Sequence, residues 1–391
     1  MTASLPPVAP STAAQPAQVA PQPAAPPPPP PPAGPVSVPV GWLLDHGAAP
    51  IKYRTVVDIL RPPGGAPAGM RLVPYSYQPA LLLALGQSAD GTWNQSMLGV
   101  PSSRAEHFEG IGTVTAVRRL IEYGWEPESP PLARARRILF RLLAEDNDPA
   151  YLFDFAKGKG EETMVKRGRM ILREAAAAAL AQAGYESDPR LRGAARRILD
   201  RVANYLRSPL AQKPWVRVGN KQVLSPEASP PSYFAIAMLA HMPLFRSEHH
   251  DSVERLYRHL TQPEPRQESM QLVGGKIVPQ PHLVLGDMLP HRNAVDADVP
   301  AALNWLELMA RLGYLRRNEN WTKMFERFLD DRDRDGVWHP HKGMAAPRST
   351  NPFVWPSFPL ESTAAGEERW TDVTFRIGLI ARLSGRPIEA V

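Results

Sequence analysis

From residue 41 onward, apolar positions recur at helical spacing. Tyr53, Val56, Val57 and Leu60 share one stripe, within a short helical entry over 42–60 that Pro62-Pro63-Gly64-Gly65 closes. A short apolar segment over 79–85 follows. Val114, Val117, Leu120 and Ile121 predict a helix over 110–123, with Gly124 as its C-cap. A proline opens the next helix, over 131–144, where Ile138, Leu139, Leu142 and Leu143 lie on one side. The alanine run beginning at Ala175 ends at Gly184-Tyr185, and Asp188-Pro189 starts a further helix. The same periodicity predicts helices over 231–245, 252–260, 300–312, 320–329 and 370–383.

The pattern repeats. Ala135-Arg136-Arg137-Ile138-Leu139 returns as Ala195-Arg196-Arg197-Ile198-Leu199, and Gly124-Trp125 returns as Gly184-Tyr185, both at a spacing of 60 residues. A helix–Gly–aromatic–loop–helix unit of that length signals stacked helical hairpins. Two Asp-Gly-x-Trp turns reinforce it: Gln87-Ser-Ala-Asp90-Gly91-Thr-Trp93 and Asp331-Arg-Asp333-Arg-Asp335-Gly336-Val-Trp338. Glycine permits the turn, aspartate bonds nearby backbone, and tryptophan packs over the hairpin junction. Irregular loops are expected at 208–229, 263–295 and 339–368; loops of that length often line functional faces. Within the second, Met270 to Val278 predicts a small β-hairpin around Gly274-Gly275.

Composition narrows the picture. Many of the 45 prolines precede residue 40, including Pro26 to Pro32. Such a stretch buries too little apolar surface to offset its ordering entropy, so residues 1–40 are expected to be a disordered tail, available to a protein partner. The chain has no cysteine, which excludes disulfides, thiolate metal sites and a cysteine nucleophile. Neither a secretory leader nor an apolar run long enough to span a membrane is legible, so a cytoplasmic protein is expected. The net charge of +6 is modest. Arginines such as Arg134, Arg136, Arg137 and Arg141, and the group Lys166, Arg167, Arg169 and Arg173, read as solvated outer helix faces. Nucleic-acid binding is not expected, since no motif or aromatic interleaving accompanies the basic residues.

The Gln87–Asp90–Gly91–Trp93 pattern resembles the QW repeat of squalene cyclases. The helix pairs ending in Gly-aromatic look like the α/α toroid shared by terpenoid cyclases and protein prenyltransferase β subunits. The resemblance extends over roughly 42–391 at the level of fold. It implies an all-α protein, an α/α toroid of repeated helical hairpins over 41–391, behind the proline-rich tail.

What it implies for chemistry is narrower. Class II terpene cyclases carry Asp-x-Asp-Asp-Thr at a helix start, the middle aspartate being the proton donor. By that resemblance Asp298 takes the donor position and Asp296 the first, while Val299 and Pro300 replace the third aspartate and the threonine. Asp298 is equally suited to capping the helix that runs through Pro300. Asp331, Asp333 and Asp335 form the first half of a calcium-type loop, but Lys342 stands where its bidentate glutamate belongs. The zinc sites of prenyltransferases and lanthionine cyclases use cysteine, which is absent here. His339 with His341, His249-His250, and His282 with His291 read as ordinary loop histidines. No metal or cofactor is expected. Trp305, Trp338, Phe353 and Trp355 are the aromatic candidates for binding a ligand in a central cavity, with the Phe353–Phe358 loop the foremost.

The leading expectation is therefore a toroid protein that binds or transforms an apolar, isoprenoid-like small molecule in its cavity. A non-catalytic scaffold, or a polysaccharide lyase or hydrolase on the same frame, stand as alternatives. The bases of the long loops are expected to gather at one mouth.

Overall fold

The computed structural model describes residues 34–102, 105, 108–144, 151–158, 162–289, 298–340, 347–361 and 371–391. Helices dominate. After a short strand β1 (Val36–Val38) come α1 (Val40–His46) and α2 (Ala49–Arg54), which runs on as a π-helical segment, Thr55–Leu60. Then follow α3 (Ala68–Leu72), α4 (Gln78–Leu85), α5 (Thr113–Glu122) and α6 (Pro130–Ala144). The long α7 (Glu162–Gln182) and α8 (Pro189–Arg207) form the next pair. They are succeeded by α9 (Tyr233–Ala240), α10 (Pro243–Glu248) and α11 (His250–Leu260). The last helices are α12 (Val299–Arg311), α13 (Glu319–Asp330) and α14 (Thr371–Leu383).

The most deeply buried helices form a continuous series. α5 packs on α7, α7 on α9, α9 on α12, and α12 on α14. The π-helical segment packs on α14, and Arg54, at its start, bonds Glu122 of α5, which returns the series to its beginning. α6, α8, α11 and α13 flank these helices, α6 and α8 against α7, α11 against α8, and α13 against α14. The sequence explains the division. α9 is apolar over its whole length and buried throughout, whereas α8, α11 and α13 bury one stripe and expose a charged face.

The Gly-aromatic helix ends have one geometry. Gly124, Gly184 and Gly313 all adopt positive φ, between +75° and +89°. The following residues Trp125, Tyr185 and Tyr314 donate their backbone N–H to the carbonyls of Leu120, Leu180 and Met309, five residues upstream. This is a Schellman cap: glycine takes the left-handed conformation at no side-chain cost, and the aromatic packs back on the helix. Arg386 after Gly385 bonds Ala381 in the same way at the end of α14.

The two Asp-Gly-x-Trp turns also correspond. Trp93 and Trp338 are both buried, and each backbone N–H is held by a threonine hydroxyl of a buried helix, Thr113 at 3.1 Å and Thr374 at 3.0 Å. Gln87 ties the first turn to the start of α6 by donating to Pro131 O at 2.9 Å. In the first turn Asp90 accepts from Thr92; in the second, Asp333 takes that work, accepting from the N–H groups of Asp335 and Val337.

Three expectations need correction. The chain is not purely α-helical: β1 pairs in parallel with β6 (Ile388–Ala390), and a four-stranded sheet forms elsewhere. That sheet joins the hairpin β2 (Trp215–Val218)–β3 (Lys221–Leu224) to the expected hairpin β4 (Met270–Val273)–β5 (Lys276–Pro279). Buried Gln271 fastens the two, its amide donating to Ser225 O and Ala228 O at 2.8 Å. Residues 208–229, read as irregular, thus hold a hairpin, because a four-residue alternation is too short to stand out. Structure also begins before residue 41, at β1, and the described residues from 34 onward belong to one compact unit. Residues 1–33 of the predicted tail lie outside the described residues. The arginines of α7, finally, are not all on a solvated face: Arg169 is buried. Among the described residues no helix is long and apolar enough to cross a membrane.

Candidate functional site

Two chambers lie along the buried helices, one at each end. The first has a volume of about 320 Å³. The N-terminal halves of three helices contribute Val114 and Thr115 (α5), Met164 and Arg167 (α7), and Phe234 (α9). Long connections supply the remaining wall: Leu98 and Val100 after α4, Val273 to His282 around the β4–β5 hairpin, and Pro352, Phe353 and Pro356 before α14. Two of the three loops expected to frame a site thus meet at one chamber, while the third, 208–229, supplies none of its wall among the described residues and only pairs with β4. Phe353 stacks on Tyr233 at 4.8 Å between ring centroids and meets Phe234 edge-on at 5.4 Å.

The polar groups of this chamber are few. Arg118 is nine-tenths buried; its Nε donates to Gln182 Oε1 at 2.9 Å and its guanidinium lies 5.9 Å from the Tyr233 ring centroid. Arg167 donates to Gln280 Oε1 at 2.8 Å. Burial pulls the Arg167 guanidinium down to about 10, which leaves it a cation at neutral pH. Burial, with the nearby charges of Arg167 and Arg201, pushes the His282 imidazole down to about 3, so it is neutral.

The second chamber, about 280 Å³, lies at the opposite ends of the same helices. Its wall includes Glu122 of α5 and Gly124 after it, Gln182 of α7, His241 after α9 and Arg311 of α12, together with Tyr53, Arg54 and Asp58. The helices therefore run in one direction from the apolar chamber to the polar one. An ion network fills the space beside this second chamber. Glu122 accepts from Arg54, from Arg376 at 2.6 Å and from Gln182 at 2.7 Å. Arg376 also pairs with Glu307 at 2.6 Å, Arg311 with Glu307 at 2.9 Å, and Arg54 with Asp58 at 2.7 Å.

Burial alone would raise the Glu122 carboxyl, but the guanidiniums of Arg54 and Arg376 outweigh it and hold it well below the usual carboxylate range. Glu307 is lowered in the same way: burial opposes, and Arg376 and Arg311 prevail. Burial and then Arg311 hold His241 well below the ordinary imidazole range. The cations also oppose the negative ends of the helix dipoles gathered here. The string Arg118–Gln182–Glu122 links the two chambers through side-chain hydrogen bonds.

The sequence candidates separate. Asp298 caps α12: Oδ1 accepts from Ala301 N at 2.9 Å and Oδ2 from Ser349 Oγ at 2.7 Å, and it lines neither chamber. Asp296, with which it was paired by resemblance, lies outside the described residues, as do Trp370, His291, His341 and Lys342. Trp305 and Trp338 are core residues, each about 1% exposed. Phe353 lines the apolar chamber. Trp355 instead faces a shallower groove, edge-on to Phe108 and beneath the Arg119 guanidinium. Of the four aromatic candidates, Phe353 alone meets the chamber.

Arg118, Arg167, Glu122, Glu307 and Arg376 were not anticipated as site residues. One signal was available: Val114, Arg118 and Glu122 follow one another at intervals of four, so the charges fall on the stripe that an apolar residue begins. Comparison with family models, with curated proteins and with solved structures finds no match.

Proposed function

We propose that this protein is a helical toroid of the terpenoid-cyclase and prenyltransferase type, and that it binds an apolar, isoprenoid-like ligand in the 320 Å³ chamber. The toroid rests on the series α5–α7–α9–α12–α14 returning to α5 through Arg54, with a second set of helices packed around it. The ligand rests on one observation: loops distant in sequence converge on a cavity whose walls are almost wholly hydrocarbon, with Phe353 and Phe234 at right angles within it. Its size falls in the range of small-molecule sites, roughly 300–1,000 Å³.

The activity is binding rather than acid-initiated cyclisation. Both Asp298 oxygens are occupied by structural hydrogen bonds, and the carboxyl is not presented to the chamber.

Calorimetric titration with geraniol tests the reading. Saturable binding with a negative heat-capacity change is expected, because apolar surface leaves water. Phe353→Ala should weaken it roughly ten- to a hundredfold, as burial of such a ring is worth about 1.5–3 kcal/mol. No saturable binding, or binding indifferent to Phe353→Ala, would refute it.

A further inference from the structure

The apolar chamber has a charge that its walls do not balance. Arg118 and Arg167 line it, no carboxylate does among the described residues, and His282 is neutral. Arg118 is nine-tenths buried. Its Nε is engaged by Gln182, while among the described residues its two terminal nitrogens have no hydrogen-bond partner. Neither terminal nitrogen is among the described partnerless polar atoms that are sealed from solvent, and the side chain lines the chamber. A buried guanidinium with open donors is costly unless something accepts from them. Arg167 contributes the second positive charge, with the Gln280 amide oxygen as its only hydrogen-bond acceptor among the described residues. The chamber also adjoins the N-terminal turns of α5, α7 and α9, whose dipoles favour negative charge.

We infer that the ligand is an amphiphile: a branched hydrocarbon chain ending in a carboxylate, with the carboxylate on the open nitrogens of Arg118 and Arg167 beside it. The inference rests on the chamber being the ligand site proposed above, and adds the chemical class of the head group. A carboxylate suits the planar fork of a guanidinium, which donates two parallel bonds to its two oxygens. The number of free donors favours it over a head with more acceptor oxygens. The wall offers two cations, and one of them already gives its Nε and one terminal nitrogen to Gln280. The hydrocarbon then lies along Val114, Ile171, Phe234 and Phe353.

The test compares ligands that differ only at the head. Geranic acid, geraniol, geranyl phosphate and geranylamine are titrated calorimetrically into the full chain at pH 7. Geranic acid should bind about ten- to a hundredfold more tightly than geraniol, the range expected for a charge-assisted hydrogen bond. Geranylamine should bind more weakly than either. Arg118→Gln should abolish the preference for the acid, lowering geranic acid affinity about ten- to a hundredfold more than geraniol affinity. Arg167→Gln, on a more exposed side chain, should reduce the preference without abolishing it and guards against misfolding of the Arg118 variant. Equal affinity for acid and alcohol overturns the inference while leaving the apolar-ligand reading intact. So does an Arg118→Gln variant that loses both ligands equally. Geranyl phosphate binding more tightly than geranic acid overturns the choice of carboxylate. If no member of the series binds, both proposals fall.

Discussion

Glu122→Gln is the most informative single change in the ion network. The substitution keeps the shape and one acceptor oxygen, but removes the negative charge between Arg54 and Arg376. Those two guanidiniums are buried, at 7% and 2% exposure, and cannot recover water. Each retains another acid, Asp58 for Arg54 and Glu307 for Arg376, so the network is weakened rather than dismantled. Removing one partner of a buried pair costs about 3–5 kcal/mol, because the remaining charge stays desolvated. With total stability of roughly 5–15 kcal/mol for a typical folded protein, that is a large fraction.

The measurement is urea unfolding followed by tryptophan fluorescence, repeated from pH 7 down to pH 3. The sign of the pH effect follows from the lowered Glu122 carboxyl. A carboxylate whose folded-state value lies below its unfolded value of 4.5 stabilises the fold above that value, and the contribution is lost as pH falls further. Wild type should therefore lose stability on acidification faster than Glu122→Gln, and the two curves should converge at low pH. A variant within about 0.5 kcal/mol of wild type at pH 7 would refute the argument, since that is the scale of an ordinary surface change. Parallel curves would refute its electrostatic part.

Gly124→Ala and Gly184→Ala compare two copies of one cap. At Gly184 a new Cβ meets nothing and only the left-handed backbone resists it, about 1–2 kcal/mol, whereas at Gly124 it would lie 2.5 Å from Tyr53, so the Gly124 variant should melt at the lower temperature. Asp298→Ala should cost about 1 kcal/mol in urea unfolding through the lost α12 cap, and should leave geraniol affinity as it was. His282 is neutral in the fold and has an ordinary value of 6.5 when unfolded, so wild-type stability should fall as pH drops from about 6.5 toward about 3. His282→Gln should flatten part of that slope; identical slopes would show that His282 does not titrate with folding.

The helical frame was readable because its punctuation is local. Gly124-Trp125, Gly184-Tyr185 and Gly313-Tyr314 stop helices by a backbone mechanism that needs no tertiary partner, and the repeat spacing follows from it. Asp298 as a cap was legible for the same reason. The β2–β3 hairpin was not, because its pairing with β4 depends on Gln271, 46 residues beyond Ser225. The ion network was hidden for a related reason. Arginine and glutamate on a helix ordinarily mark a solvated face, and the acceptors that justify burying Arg376 lie on α5 and α12, far away in the chain. Phe353 was found as an aromatic in a proline-rich loop. Trp305, within an amphipathic helix, and Trp338, in the Asp-Gly-x-Trp turn, each had a local reason to be core, and both are buried.

The π-helical segment Thr55–Leu60 has a consequence for how this protein tolerates change. A π turn carries one residue more than an α turn, and here the extra residue lies beside the position that delivers Arg54 to Glu122. Because a π turn absorbs one extra residue while the helix on either side keeps its phase, deleting one residue, such as Val57, would let the segment close up as an ordinary helix with Arg54 still directed at Glu122. The same deletion inside a regular helix such as α5 would turn everything on one side of it by about 100° relative to the other. This stretch is thus a place where the chain can lose a residue and keep its ion pair, whereas losing the arginine itself cannot be absorbed.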